Sequence, residues 1–265
     1  MNKPIKTSPL EASEIVDRTV DRLDVAPRFT EHDAVRLNRM FRGSSTYEML
    51  EGVIKGSLAG DVTTVSSFGA ESAVLLHLLA QIDPNIPVLF LDTGKHFEET
   101  LQYRDALVER LGLTNLIVLT PDEADLSKKD ESGLRWSYDP DGCCEIRKVK
   151  PLAKALADYD ASFTGRKAFQ SATRANLPRF EIDTSDAAGR LKINPLIDWS
   201  AQDIADYFEE HDLPRHPLVA EGYPSIGCAP CTNKVADGED ARSGRWAGWD
   251  KTECGIHKPG EEPFL

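Results

Sequence analysis

A mostly parallel, Rossmann-like α/β sheet with helices on both faces is the fold class this sequence predicts, and three observations predict it. Short runs rich in apolar and β-branched residues recur at 62–66, 87–92, 116–119 and 161–164. Their near-continuous character suits strands buried on both faces rather than strands with one wet face. Between them, residues 73–79, 98–111 and 146–159 carry apolar residues at helical intervals, and strands alternating with helices build parallel sheets. The chain has 265 residues, 40% hydrophobic and 28% charged, an ordinary globular composition. At roughly 150 residues per domain, that is one large domain or one domain with an extension.

Residues 1–44 read as a helical extension, with apolar positions at helical spacing through Glu14–Val20 and Ala34–Phe41. Ser45 with Glu48 three residues later is a capping box that opens the α/β domain, 45–214. Val62–Ser66 is a β-branched strand, followed by a helix through Ala73–Leu79. Pro87–Asp92 is a strand, Glu98–Leu111 a helix closed by Gly112, and Leu116–Leu119 a strand ending near Pro121. Ile146–Tyr159 is a helix and Ala161–Thr164 a further strand. From about Asp183 the character changes, and 183–189 is a polar loop. Ser200 as N-cap, with Asp203 at N3, opens a helix to about Glu210. Residues 215–265, rich in Pro and Gly with few strand signals, read as a C-terminal segment folded over the domain.

The charge excludes some functions. Lys and Arg number 31 against 44 Asp and Glu, a net charge of −13, which argues against nucleic acid as the main partner because phosphate backbones need clustered positive charge. A small anionic substrate would need a locally basic pocket. No run approaches 18 apolar residues, and Met1–Thr7 lacks the apolar core of a signal peptide. A cytoplasmic protein without membrane contact is therefore expected. A homo-oligomer is neither required nor excluded.

Five segments carry candidate chemistry. Ser66, Ser67, Phe68, Gly69, Ala70, Glu71 and Ser72 join the first strand to its helix. There the helix N-terminus offers N–H groups to an anion, Gly69 allows close approach, and Ser67 and Ser72 add hydroxyls. It is not a Walker A loop, since no Gly-Lys-Ser/Thr follows, and the alternative reading is a capped turn without a ligand. Leu91, Asp92, Thr93 and Gly94 follow the second strand, on the same rim, and together the two loops read as the walls of a nucleotide crevice.

The five cysteines fall in the remaining three segments. Cys143 and Cys144 are adjacent, and Cys228 and Cys231 form a CxxC. Four thiolates from two segments suggest a metal centre. Adjacent cysteines reach one tetrahedral zinc only with strain, whereas a cubane offers each its own iron; zinc and plain buried or redox thiols stay as alternatives. Arg147, Lys148 and Lys150 are either a solvated helix face or a source of positive field. Cys254, with His257 nearby, is a candidate nucleophile, and Arg242 and Arg245 just upstream can fork onto a phosphate or sulfate.

Taken in order, these fragments resemble the iron–sulfur adenylyl-sulfate (APS) branch of the phosphoadenylyl-sulfate (PAPS) reductase family. The resemblance spans about residues 45–258. It rests on Ser-Phe-Gly-Ala-Glu-Ser at 67–72, Leu-Asp-Thr-Gly at 91–94, and Cys-Cys-x-x-Arg-Lys-Val-x-Pro-Leu at 143–152. It continues through Gly-Tyr-x-Ser-Ile-Gly-Cys-x-Pro-Cys at 222–231 and Glu-Cys-Gly-Ile-His at 253–257. The resemblance implies an adenine nucleotide α-hydrolase-like sheet binding a sulfonucleotide. It implies one [4Fe–4S] cluster per subunit on Cys143, Cys144, Cys228 and Cys231, with Cys254 as the nucleophile. The implied reaction is thioredoxin-dependent reduction of APS to sulfite and AMP in sulfate assimilation, on the way to cysteine.

The substrate contacts expected are Ser66, Ser67, Phe68, Gly69, Glu71, Ser72, Leu91, Thr93, Gly94, Lys148, Gly165, Arg166, Lys167, Arg242, Arg245 and His257. One segment departs from the family pattern: Lys167 and Ala168 stand where paired arginines are common, leaving Arg166, Lys167 and Arg174 as the cations of that loop. With four cysteines assigned to a cluster, Cys254 has no internal resolving partner, so the electrons must come from an external dithiol. The alternatives are PAPS or dual APS/PAPS use, an ATP pyrophosphatase or adenylyltransferase of the same fold, and a non-catalytic metal-binding module.

Overall fold

The computed structural model describes residues 27–186, 188–251 and 253–257; the helix expected at Glu14–Val20 lies outside them. Among these residues six strands, β1 (Val62–Ser66), β2 (Val88–Leu91), β3 (Leu116–Leu119), β4 (Ala161–Phe163), β5 (Phe180–Ile182) and β6 (Leu191–Ile193), form one sheet. Its order is β3-β2-β1-β4-β6-β5, parallel throughout except for the edge pair β5–β6. The helices are α1 (Glu31–Met40), α2 (Thr46–Lys55), α3 (Ser72–Ile82), α4 (Glu98–Leu111), α5 (Glu123–Lys129), α6 (Pro140–Cys144), α7 (Lys150–Leu156) and α8 (Ala201–Glu210).

Strand β2 shows why its sequence is apolar throughout. Val88 and Phe90 enter the main core, built with α1 to α4 and α8, while Leu89 and Leu91 enter a second core with Leu152 and Leu156 of α7. Successive side chains of a strand point to opposite faces, so a strand covered twice has no polar position to spare. Over β4 and β6 the second face lacks this apolar cover: Ser162, Thr164 and Lys192 line a cavity there instead.

Both expected capping boxes form, Ser45 with Glu48 on α2 and Ser200 with Asp203 on α8, and Gly112 ends α4 in the left-handed region at φ 65°. Two expectations are corrected. Three-residue strands β5 and β6 flank the polar loop at 183–189; each is too short to show a period, and Glu181 and Lys192 interrupt them. The helix expected from Ile146 begins at Pro140 and passes through a π-helical turn, Glu145–Val149, before α7. Pro151 cannot donate to the carbonyl four residues back, and a wider turn accommodates that loss. Helix α1 packs on the sheet edge: Asn38 Nδ2 donates to Phe180 O at 2.7 Å, and the Phe41 and Phe180 rings lie 5.7 Å apart.

Candidate active site

Strands β1 and β4 are neighbours, yet the chain leaves β1 towards β2 on one side and returns to β4 on the other. Such a reversal of strand order leaves a crevice beyond the carboxyl ends of the strands. A cavity of about 770 Å³ lies there. Of the expected contacts, Ser66, Ser67, Gly69, Glu71 and Ser72 line it from the loop between β1 and α3, and Leu91 from the end of β2. Lys148 lines it from the π-turn, and Gly165, Arg166 and Lys167 from the loop after β4. Arg242, Arg245 and Cys254 close it from the C-terminal segment. Eight Lys and Arg against five Asp and Glu line this cavity, the reverse of the chain's overall sign.

The remaining expected contacts fall elsewhere. The Phe68 ring is wholly buried in the main core, edge-on to Phe90 at 5.6 Å. Its backbone holds φ 48°, a conformation few side-chain-bearing residues adopt, with its N–H donating to Ser66 Oγ at 3.2 Å. The turn thus sends the ring inward and leaves the neighbouring Ser67 and Gly69 to the cavity. Thr93 faces the cysteines, its Oγ1 3.3 Å from Cys228 Sγ, and Gly94 turns with φ 65°, its N–H donating to Asp92 Oδ1. His257 ends the short turn Gly255–His257 and does not line the cavity.

Three expected anion-binding cations already have carboxylate partners, Arg242 among them through Glu253 at 3.3 Å. Arg166 is held by Asn194, with Nη2 at 2.8 Å from Oδ1, and by Glu181. Lys167, 2% exposed, donates to Glu71 Oε2 at 2.8 Å, and Gln170 donates to the same oxygen. Burial lowers the Lys167 pKa, opposed by Glu71. Lys148 differs: burial works against its charge, but the thiols of Cys228, Cys254 and Cys144 raise its pKa.

The four paired cysteines line one pocket with Thr93, Arg147, Lys148, Arg245 and Trp246. Cys143 and Cys144 end α6; Cys228 and Cys231 bracket a short turn, Ala229–Cys231, docked by Ala229 N–H to Lys95 O at 2.8 Å. The Arg245 guanidinium lies against Gly227, where a Cβ would force it to shift. Burial raises the pKa of Cys143 and of Cys231. Among the described residues no three His, Cys, Asp or Glu side chains converge on a single ion.

Cys254 stands between this pocket and the cavity. Its hydrogen bond with Cys144 holds its thiol well below the usual range; burial opposes this, while Lys148, the Ile256 N–H and Arg245 assist. The same bond, with burial, pushes Cys144 up. Lys251 Nζ reaches Cys144 Sγ at 3.5 Å and Asp141 at 2.6 Å.

Two supports escaped the sequence reading. Arg147 is a buried strut rather than a solvated cation: it pairs with Asp130 at 2.7 Å and donates to Thr93 O at 2.7 Å. The Asp130 side chain is wholly buried, so Asp130→Ala should cost about 3–5 kcal/mol by stranding the guanidinium. Urea denaturation monitored by circular dichroism checks this, and a loss below about 1 kcal/mol would contradict it. Glu253 is the second support: its carboxylate pairs with Arg174 at 2.7 Å and Arg242 at 3.3 Å. Neither partnership has a local sequence signal, because the partners lie 17 and 79 positions apart.

A parallel sheet with a basic cavity at its switch point defines the class, a nucleotide-binding α/β domain. Residues 61–234 match the phosphoadenosine phosphosulfate reductase domain, and the chain belongs to that family. A relative from Mesorhizobium japonicum named adenosine 5'-phosphosulfate reductase is 51% identical over 94% of this chain and 96% of its own. One of the same name from Streptomyces coelicolor is 44% identical over 84% and 93%. The crystal structure of the phosphoadenylyl-sulfate reductase from Candida auris, a phosphate complex, superposes with a TM-score of 0.63 at 25% identity, over 78% of this chain and 98% of that one. No helix among the described residues is long and apolar enough to cross a membrane.

Proposed function

We propose that this chain reduces adenosine 5'-phosphosulfate to sulfite and AMP, with Cys254 as the nucleophile and thioredoxin as the electron donor, in cytoplasmic sulfate assimilation. The observation that carries the proposal is Cys254 at the wall of a basic cavity, beside Lys148 and Arg245, with the other four cysteines in the adjoining pocket. The relatives' names supply the substrate.

In this reading the phosphosulfate lies along the loop at 66–72, its charge met by Lys148, Arg242 and Arg245. The Cys254 thiolate attacks the sulfate sulfur; the S–O bond to the phosphate breaks, AMP leaves, and a Cys254 S-sulfonate forms. A thioredoxin thiolate then attacks Cys254 Sγ, expelling sulfite and forming a mixed disulfide. The second thioredoxin thiol resolves that disulfide and restores the Cys254 thiolate, so the two electrons come from the dithiol. Cys143, Cys144, Cys228 and Cys231 would hold a [4Fe–4S] cluster, which when bound supplies a fixed charge beside the cavity. Thr93, Lys251 and Arg245 orient the sulfurs and the surrounding backbone.

Thioredoxin-dependent sulfite release, compared between APS and PAPS, tests reaction and specificity together. The expected result is release from APS with a kcat/KM at least tenfold above that for PAPS, equivalent to about 1.4 kcal/mol of discrimination. Equal use of both would shift the reading to a dual reductase, and pyrophosphate release from ATP without sulfite would overturn it.

A further inference from the structure

Glu253 directly precedes Cys254, and no part of the chemistry above uses its carboxylate. Both oxygens are nonetheless engaged. Arg174 donates from Nε to Oε1 at 2.9 Å and from Nη2 to Oε2 at 2.7 Å, the two-pronged geometry of the strongest arginine–carboxylate pairs. Ser171 Oγ adds a hydrogen bond to Oε1 at 3.1 Å, and Arg242 one to Oε2 at 3.3 Å. The Arg174 side chain is 8% exposed and that of Glu253 13%. Arg174 is braced in turn by Gln170 Oε1 at 2.6 Å, and Gln170 is tied to Glu71 of the phosphate-side loop.

We infer that Glu253 is a positioning residue: a carboxylate latch that clasps the C-terminal segment to the loop after β4 and so holds Cys254 at the cavity. This rests on the reading of Cys254 as nucleophile. Cys254 must meet the sulfate sulfur first and a partner protein's thiol second, and its half-buried position at the cavity wall suits the first better than the second. A clasp made of side chains from an element distant in sequence can hold the first position and release for the second. The other polar contacts of the segment face the cysteine pocket: Cys254 hydrogen-bonds to Cys144, and Lys251 pairs with Asp141 at 2.6 Å. Ile256 packs against the second core, so on the side of the loop after β4 the directional contacts are those of Glu253. Burial works against the Glu253 charge while Arg174 and Arg242 hold its pKa down, so the clasp stays ionised at neutral pH.

The test uses the full-length protein purified without oxygen, with Glu253→Gln and Arg174→Gln, singly and combined. Gln keeps the volume of Glu253 but loses the charge, and AMP binding reports an intact cavity. The rate of iodoacetamide alkylation at Cys254, read by peptide mass spectrometry, should rise about tenfold in either single variant, a change of about 1.4 kcal/mol in the closed-to-open equilibrium. The double variant should rise no further, since both residues form one contact. Formation of the Cys254 S-sulfonate from APS should slow by a similar factor with KM changed less than threefold. Discharge of preformed S-sulfonate by thioredoxin should not slow. Alkylation within twofold of wild type in both single variants, or additive effects in the double, would overturn the latch. Absence of any Cys254 adduct with APS in the wild type would instead refute the nucleophile, and the alkylation rates would still judge the clasp.

Discussion

Cys254→Ser abolishes sulfite release from APS, by roughly 10³-fold or more, the scale seen when an enzyme loses its covalent nucleophile. A serine hydroxyl remains protonated at neutral pH, whereas a cysteine thiol is far more acidic and Cys254 has the cations Lys148 and Arg245 beside it. The exchanged atom touches the cavity and not the packing of the sheet. AMP affinity and the thermal midpoint should therefore stay near wild type, measured by calorimetry and circular dichroism. Intact-mass analysis after mixing with APS alone should show a sulfonate adduct in the wild type and none in the variant. Sulfite release within tenfold of wild type would overturn the assignment, because no other cysteine borders the cavity among its lining residues.

The fold was legible in the sequence wherever a residue pattern was its own evidence. The continuous apolar run of β2 reflects two buried faces, and the Ser45 and Ser200 capping boxes mark helix starts through contacts spanning three positions. Strands β5 and β6 were not legible, because three residues carry no measurable period and pairing within the sheet, not propensity, creates them. The site divides similarly. The turn at 66–72 and the paired cysteines announced themselves by spacing, but not the direction of the Phe68 ring, which a positive φ turns into the core. Charge was the least legible feature. Arg166, Lys167 and Arg174 looked alike as cations of one loop, yet Glu181, Glu71 and Glu253 engage them in turn. Only the folded chain distinguishes a cation that faces the cavity from one that braces its wall.

Among the described residues, two cations of the cysteine pocket lack such carboxylate partners. Lys148 and Arg245 both line it, and no carboxylate among the described residues forms an ion pair with either. Buried cations are costly unless an anion offsets them, and the anions at hand are sulfurs: Cys228, Cys254 and Cys144 for Lys148, the same three with Cys231 for Arg245. Protonated thiols would leave the cations uncompensated, whereas thiolates on a metal centre balance them. Adjacent cysteines such as Cys143 and Cys144 suit a cluster with separate irons better than a single zinc. Protein prepared without oxygen should accordingly be brown, with about four iron and four sulfide per chain. Cys228→Ala, which removes a proposed ligand 8% exposed and touching Thr93, should lose most of that iron and the visible absorbance, and sulfite release with them. The main core lies apart from this pocket, so far-ultraviolet circular dichroism should keep the α/β signature. A colourless wild-type protein with one zinc per chain would refute the cluster, and full iron retention in Cys228→Ala would refute that ligand.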